Sequence, residues 1–370
     1  LIERNIYHAQ DAYAILLATY HPSLHLLGLS TVHGNASLSQ TTHNALSVLE
    51  AIGKPRVPVF PGTAHPFCRV IHTASDIHGA SGLAGSGLLP EPSRSALAHC
   101  NAILEMRASL RAQPANTAWL VATGPLTNVA LLFALDPDLV NHVAGLSIMG
   151  GSIGGDFTHV TMGGPPQLNT ITGATHDRIG NRTPWAEFNI WADPEAARAV
   201  LQNPVLQAKT TLIPLDLTHQ AYATQQVRDL LLHGHRQPRD PSSSSDPSKP
   251  QLQPPTRLRT MFTELLMFFA QTYADVFGLT EGPPLHDPIA VTVLLGALPD
   301  PAKRIAFDDR GGERWNVDVV LEGEQVGRTV ATKARNGIGI TIPRSLDLDR
   351  FWSTLESCMA RADEATGYTR

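Results

Sequence analysis

Two short polar clusters carry groups suited to chemistry, one to binding hydroxyls and the other to holding a metal. Between Asn181 and Asn189 (NRTPWAEFN) an amide, a carboxylate and a second amide fall within nine residues. If Glu187 to Asn189 is extended, side-chain alternation puts Glu187 and Asn189 on one side and Phe188 on the other, a hydroxyl-binding edge with an apolar backing. The plainer reading is a polar loop closing on a helix cap at Asp193. The second cluster is PPLHDP, Pro283 to Pro288, ahead of the apolar run IAVTVLLGAL. Asp287 stands just before the proline that starts this helix, which makes it an expected N-cap. Capping does not explain His286, and a carboxylate at the base of a buried helix can also hold a metal.

The surrounding elements are those of an α/β protein. Leu24 to Val32 (LHLLGLSTV) reads as a buried strand, bounded by Pro22 and Gly34. Ser37 and Gln40 have capping-box spacing for a helix that Gly53 stops, and the strand-like RVPVF follows. TAWLVA reads as a strand, Asn128 to Leu135 as a helix and VAGLSIM as a strand. Asp193-Pro194 supplies a cap and a first helical proline for EAARAVLQ, and KTTLIPLDL reads as a strand. Repeated β-α-β order implies an open, mostly parallel sheet flanked by helices. In such sheets ligands lie beyond the carboxyl ends of the strands, where His33-Gly34-Asn35, Gly124 to Asn128 and Met149-Gly150-Gly151 fall. Each of these alone is ordinary turn chemistry. The Pro/Ser-rich stretch 236–255 is expected to be a solvated insertion within a single domain of residues 1–370, and glycine-rich 154–180 a loop that covers a site.

With a formal net charge of -5, the chain offers no basic field for nucleic acid or anionic lipid, which favours a small neutral or cationic ligand. Its three cysteines, Cys68, Cys100 and Cys358, form neither a disulfide framework nor a metal pair, so a reducing, cytoplasmic setting is expected. No apolar run has the length of a membrane span.

In order along the chain, QDAYAILLA, TVHGN, VPVFPG, IHGASGL, GPLTN, MGG, TPWAEFNIWADPEAA, LIPLDLTH and PLHDPIAV resemble the nucleoside hydrolase family, the inosine-uridine preferring N-ribosyl hydrolases, from about residue 6 to the C-terminal helix. The resemblance implies an open α/β fold that assembles as a homodimer or homotetramer. It also implies a calcium-dependent reaction that replaces the base of a nucleoside with water. Positive charge developing on the ribose favours an anionic pocket, and a vicinal diol suits a hard cation with oxygen ligands. By this resemblance Asp11, the Thr127 carbonyl and Asp287 would hold calcium, while Asn35, Asn181, Glu187 and Asn189 would bind the ribose hydroxyls. His286 would assist the departing base, with Asp11 the other catalytic group. His78 would lie beside the base and Met149 near the sugar.

The N-terminus departs from the family, whose members carry Asp-x-Asp-Pro-Gly-x-Asp-Asp-Ala after the first strand. Aligning Asp11-Ala12 with the end of that run puts Ile6, Tyr7 and His8 at the Asp-Pro-Gly positions and Gln10 at the penultimate aspartate. The chain as given is therefore expected to bind calcium weakly and to turn over slowly. Either the residues before Asp11 reflect a wrong or truncated start, or the chain is a degenerate homologue. Two other readings stand beside the enzyme: an inactive nucleoside- or ribose-binding protein on the same scaffold, and a dinucleotide-dependent oxidoreductase. The second is disfavoured because GLAGSG and GGSIGG do not match GxGxxG between a strand and a helix.

Overall fold

The computed structural model describes residues 2–4, 9–72, 86–160, 162, 167–168, 175–235 and 254–367. Its centre is a sheet of six short strands: β1 (Ile2–Arg4), β2 (Leu29–Thr31), β3 (Val59–Pro61), β4 (Trp119–Ala122), β5 (Gly145–Met149) and β6 (Thr210–Ile213). They lie in the order β3-β2-β1-β4-β5-β6, and every neighbouring pair is parallel. Parallel strands of this kind are covered on both faces, and Leu29, Leu146, Ile148, Leu212 and Ile213 are fully buried. Ile2 registers with Leu29 on one side and Val121 on the other, so β1 is central. Strand order reverses between β1 and β4, and their carboxyl ends bound the crevice where this topology places ligands.

The strand expected over Leu24 to Val32 is shorter, Leu29–Thr31. Leu29 N donates to Pro58 O at 2.9 Å, but Pro58 has no N–H with which to extend the ladder. Proline also ends β6, since the chain after Pro214 turns into a helix rather than continuing as a strand through Leu217.

Ten helices matter to the site and its supports. They are α1 (Ala9–Tyr20), α2 (Leu38–Ala51), α3 (Ala102–Arg111), α4 (Thr127–Leu135), α5 (Phe188–Ala192), α6 (Pro194–Leu201), α7 (Leu215–Thr218), α8 (Arg257–Phe277), α9 (Asp287–Gly296) and α10 (Leu348–Thr366). Helix α1 is apolar nearly all round because it is a core element: Ala12 to Leu17 are fully buried, and α8, α9 and α10 pack against it. The Ser37–Gln40 capping box forms as expected, and Asp193 caps α6 through Ala196 N at 3.1 Å with Pro194 in its first turn. An antiparallel pair absent from the sequence reading, β7 (Trp315–Val319) with β8 (Thr329–Lys333), follows α9. The Pro/Ser-rich stretch lies outside the described residues except for its last two positions.

Candidate functional site

A cavity at the carboxyl edge of the sheet is lined by Asn35, Met149, Asn181, Glu187, Asn189, His286 and Asp287. These are seven of the residues singled out from the sequence, and they come from four well-separated stretches. The cavity also takes in Gln10, Thr123, Arg182, Phe188, Tyr273 and Phe277. Asp11 and Thr127 are not lining residues. Asp11, in the first turn of α1, is 1% exposed, and its Oδ1 accepts from Oγ1 of the lining residue Thr123 at 3.3 Å. His78 lies outside the described residues, as do Ile6, Tyr7 and His8.

The Glu187 segment differs from the alternating edge expected of it. Glu187 is the N-cap of α5, and its carboxylate accepts from Asn189 N and Gly151 N at 2.9 Å and from Ile190 N at 3.1 Å. Three backbone donors favour a helical turn over an extended strand, and this turn brings Phe188 to the same cavity instead of behind it. Gly151 makes the third bond possible: at φ +80 it turns the chain after β5, and a Cβ there would meet Thr329 Oγ1 at 2.9 Å. Burial pushes the Glu187 carboxyl upward, and the backbone bonds oppose that shift. Asn189 Nδ2 donates to Met149 O at 3.1 Å and to Thr123 O at 3.3 Å, tying α5 to the ends of β5 and β4. Asn181 Oδ1 accepts from Phe188 N at 2.9 Å.

Asp287, by contrast, is not the N-cap expected. It is the first residue of α9, and His286 before it makes no side-chain capping bond. The His286 ring turns sideways, with Nδ1 at 2.6 Å from Thr218 Oγ1 and Nε2 at 3.1 Å from Tyr273 Oη. Burial pushes the Tyr273 phenol well above its ordinary range, so it keeps its proton. Tyr273 escaped the sequence reading, although a faint signal existed: Phe269, Tyr273 and Phe277 recur at four-residue spacing along α8. Their ring centroids are 4.3 and 5.1 Å apart in succession, so a stripe that reads as core is in part a wall of the cavity.

Thr127 is held by a separate network. Its hydroxyl donates to Asp193 Oδ2 at 2.6 Å and stands 2.9 Å from His33 Nε2. With its only hydrogen directed at Asp193, Thr127 Oγ1 must accept from His33, which sets that imidazole as the Nε2–H form. Burial pushes His33 down to about 4, keeping it neutral. Asn128 is a brace: it donates to Ser30 Oγ and Thr31 O at 3.0 Å and accepts from Thr63 N and Oγ1 at 2.9 Å.

Among the described residues no three His, Cys, Asp or Glu side chains are grouped as a metal site. The donors at hand do fit a hard cation in kind. Two buried carboxylates, Asp11 and Asp287, and the Thr127 carbonyl are all oxygen, and calcium completes six to eight oxygen ligands with water and ligand hydroxyls.

The family described as inosine-uridine preferring nucleoside hydrolase matches residues 7–353. A uridine nucleosidase of Saccharomyces cerevisiae is 34% identical over 361 residues, covering 96% of this chain and 94% of the relative. A pyrimidine-specific ribonucleoside hydrolase of Salmonella arizonae is 36% identical over 289 residues, covering 78% and 76%. Among solved structures, a purine-preferring ribonucleoside hydrolase from Gardnerella vaginalis superposes with a TM-score of 0.73 at 22% identity, covering 98% of each chain, which shows a shared fold.

Proposed function

Because the chain belongs to the inosine-uridine preferring nucleoside hydrolase family, we propose that it is a calcium-dependent enzyme cleaving the N-glycosidic bond of ribonucleosides to ribose and free base. The observation that supports this most is the gathering of Asn35, Asn181, Glu187, Asn189, His286 and Asp287 around one cavity. Asp11, Asp287 and the Thr127 carbonyl would hold calcium, which when bound supplies positive charge to grip the ribose diol.

The chain's own groups divide the remaining tasks. Asn35, Asn181, Glu187 and Asn189 hold the ribose hydroxyls, and the backbone N–H groups around Glu187 fix that carboxylate before substrate arrives. The carboxylates near the sugar favour the positive charge that grows on it as the bond to the base breaks. The bond's electron pair leaves with the base, and the Tyr273–His286 pair, linked at 3.1 Å, stands ready to donate a proton to it. Water adds to the sugar carbon and loses a proton to solvent, since Ile6 stands where the family's first aspartate would take it, and turnover is therefore slow. Thr218, at 2.6 Å from His286 Nδ1, orients the ring.

The named activities of the relatives make uridine the first substrate to assay, with inosine beside it. The test is chromatographic detection of free base from the full chain, with added calcium and after chelation. Release that depends on calcium is expected. Calorimetric binding of nucleoside without release of base would instead establish the inactive binding homologue.

A further inference from the structure

We propose that Gln10 is a positioning residue for the His286–Asp287 turn, acting through both halves of its side-chain amide; this rests on the hydrolase reading. Gln10 Nε2 donates to the Pro284 carbonyl at 3.0 Å, and Gln10 Oε1 accepts from the His286 backbone N–H at 2.7 Å. The side chain is 1% exposed and joins the first turn of α1 to the turn that starts α9.

The chemistry of this clasp requires an amide. A carbonyl only accepts and a backbone N–H only donates, so the partner must offer one donor and one acceptor on a single planar group. A carboxylate would meet the His286 N–H but set its second oxygen against the Pro284 oxygen. A hydrocarbon would meet neither and leave two buried backbone groups unpaired.

His286 is thereby fixed at three atoms by three elements: its backbone N by α1, Nδ1 by Thr218 of α7 and Nε2 by Tyr273 of α8. Asp11 follows Gln10 and Asp287 follows His286, so the same clasp sets the two carboxylate-bearing helix starts relative to each other. Gln10 also lines the cavity, but both of its polar atoms are committed to the turn, which distinguishes positioning from ligand contact. Losing the clasp should misplace the proton donor more than it weakens nucleoside binding, and displacements near 1 Å cost on the order of 100-fold in rate.

The test compares the full chain with Gln10→Met, which keeps length without polarity, and Gln10→Glu, which keeps the acceptor without the donor. Circular dichroism melts select variants that fold. Hydrogen exchange of the His286 backbone amide, followed by NMR, reads the clasp without reference to activity. Protection at that amide should fall about tenfold or more in Gln10→Met and be partly kept in Gln10→Glu. In uridine hydrolysis kcat should fall about 10- to 100-fold with KM changed less than about threefold. Unchanged protection in folded Gln10→Met, or a rise in KM with kcat intact, overturns the proposal. If the unaltered chain releases no base, the hydrolase reading fails while the exchange measurement still reports on the clasp, so the two failures are told apart.

Discussion

At His286 the ring is engaged on both nitrogens, which makes its contribution separable by two substitutions. His286→Ala should lower kcat for base release by about 10²- to 10⁴-fold, the usual range for a lost general acid. Tyr273→Phe removes only the hydroxyl and should cost about tenfold, with the cavity's apolar wall unchanged. A Tyr273→Phe variant as fast as the parent would remove the phenol from the proton path. Much of this cavity's lining was legible from residue order, since the GN, MGG, AEFN and HDP pieces each supply a lining residue. Glu187 and Asn189 line it on a different backbone from the extended one expected, because the three N–H donors to the Glu187 carboxylate include Gly151, far away in sequence. The Gln10 clasp was illegible for a similar reason: its partners lie more than 270 positions downstream, and no local pattern announces them.

Among the elements, α8 depends on a buried charge cluster. Arg259 donates to Glu356 Oε1 at 3.0 Å, Asp363 Oδ2 at 2.6 Å and the Leu231 carbonyl at 2.6 Å, anchoring α8 to α10. Arg259→Leu leaves the buried Glu356 carboxylate without its guanidinium, while part-buried Asp363 keeps its Thr256 bond, and should lower unfolding free energy by about 3 kcal/mol in urea titration. A smaller cost is expected where α3 meets the end of α4, since Arg107 and Arg111 there are partly exposed. The Arg111 hydrogen bond, joined by Arg107 and opposed by burial, holds Asp136 down to about 2 against an ordinary 3.8. The unfolded chain thus takes up the proton first on acidification. The stability this pairing confers is complete above pH 3.8 and disappears as pH falls through about 2. Asp136→Asn should be less stable than the parent by at most about 1 kcal/mol at neutral pH. That gap should close over the stated window; a gap independent of pH would refute the assignment. The element order itself was readable from apolar runs and caps, whereas strand lengths were not, because prolines at positions 58 and 214 limit the ladder only through their neighbours.

At the scale of the whole molecule, the strand order is one that dinucleotide-binding proteins also use, so topology alone does not choose a chemistry. The sequence that follows β1 decides, and here residues 5–11 (NIYHAQD) contain no glycine to admit a pyrophosphate. Nicotinamide cofactors should produce no change in tryptophan fluorescence. Calcium should act globally, because its assigned ligands come from the starts of α1, α4 and α9. A ligand bound only by the folded state at a hundredfold excess over its Kd adds about 2.7 kcal/mol. Chelator-treated protein should therefore melt at a higher temperature when calcium is restored, and Asp287→Asn should lose that response. A melting temperature indifferent to calcium would exclude the ion from this site.

The cavity has two builders. Strand ends and the Glu187 turn make one side, whereas Tyr273 and Phe277, on a single face of α8, back the other. Such a division makes the scaffold modular in descent: mutations confined to that one helical stripe can reshape one wall of the cavity while the half built on the sheet is inherited unaltered.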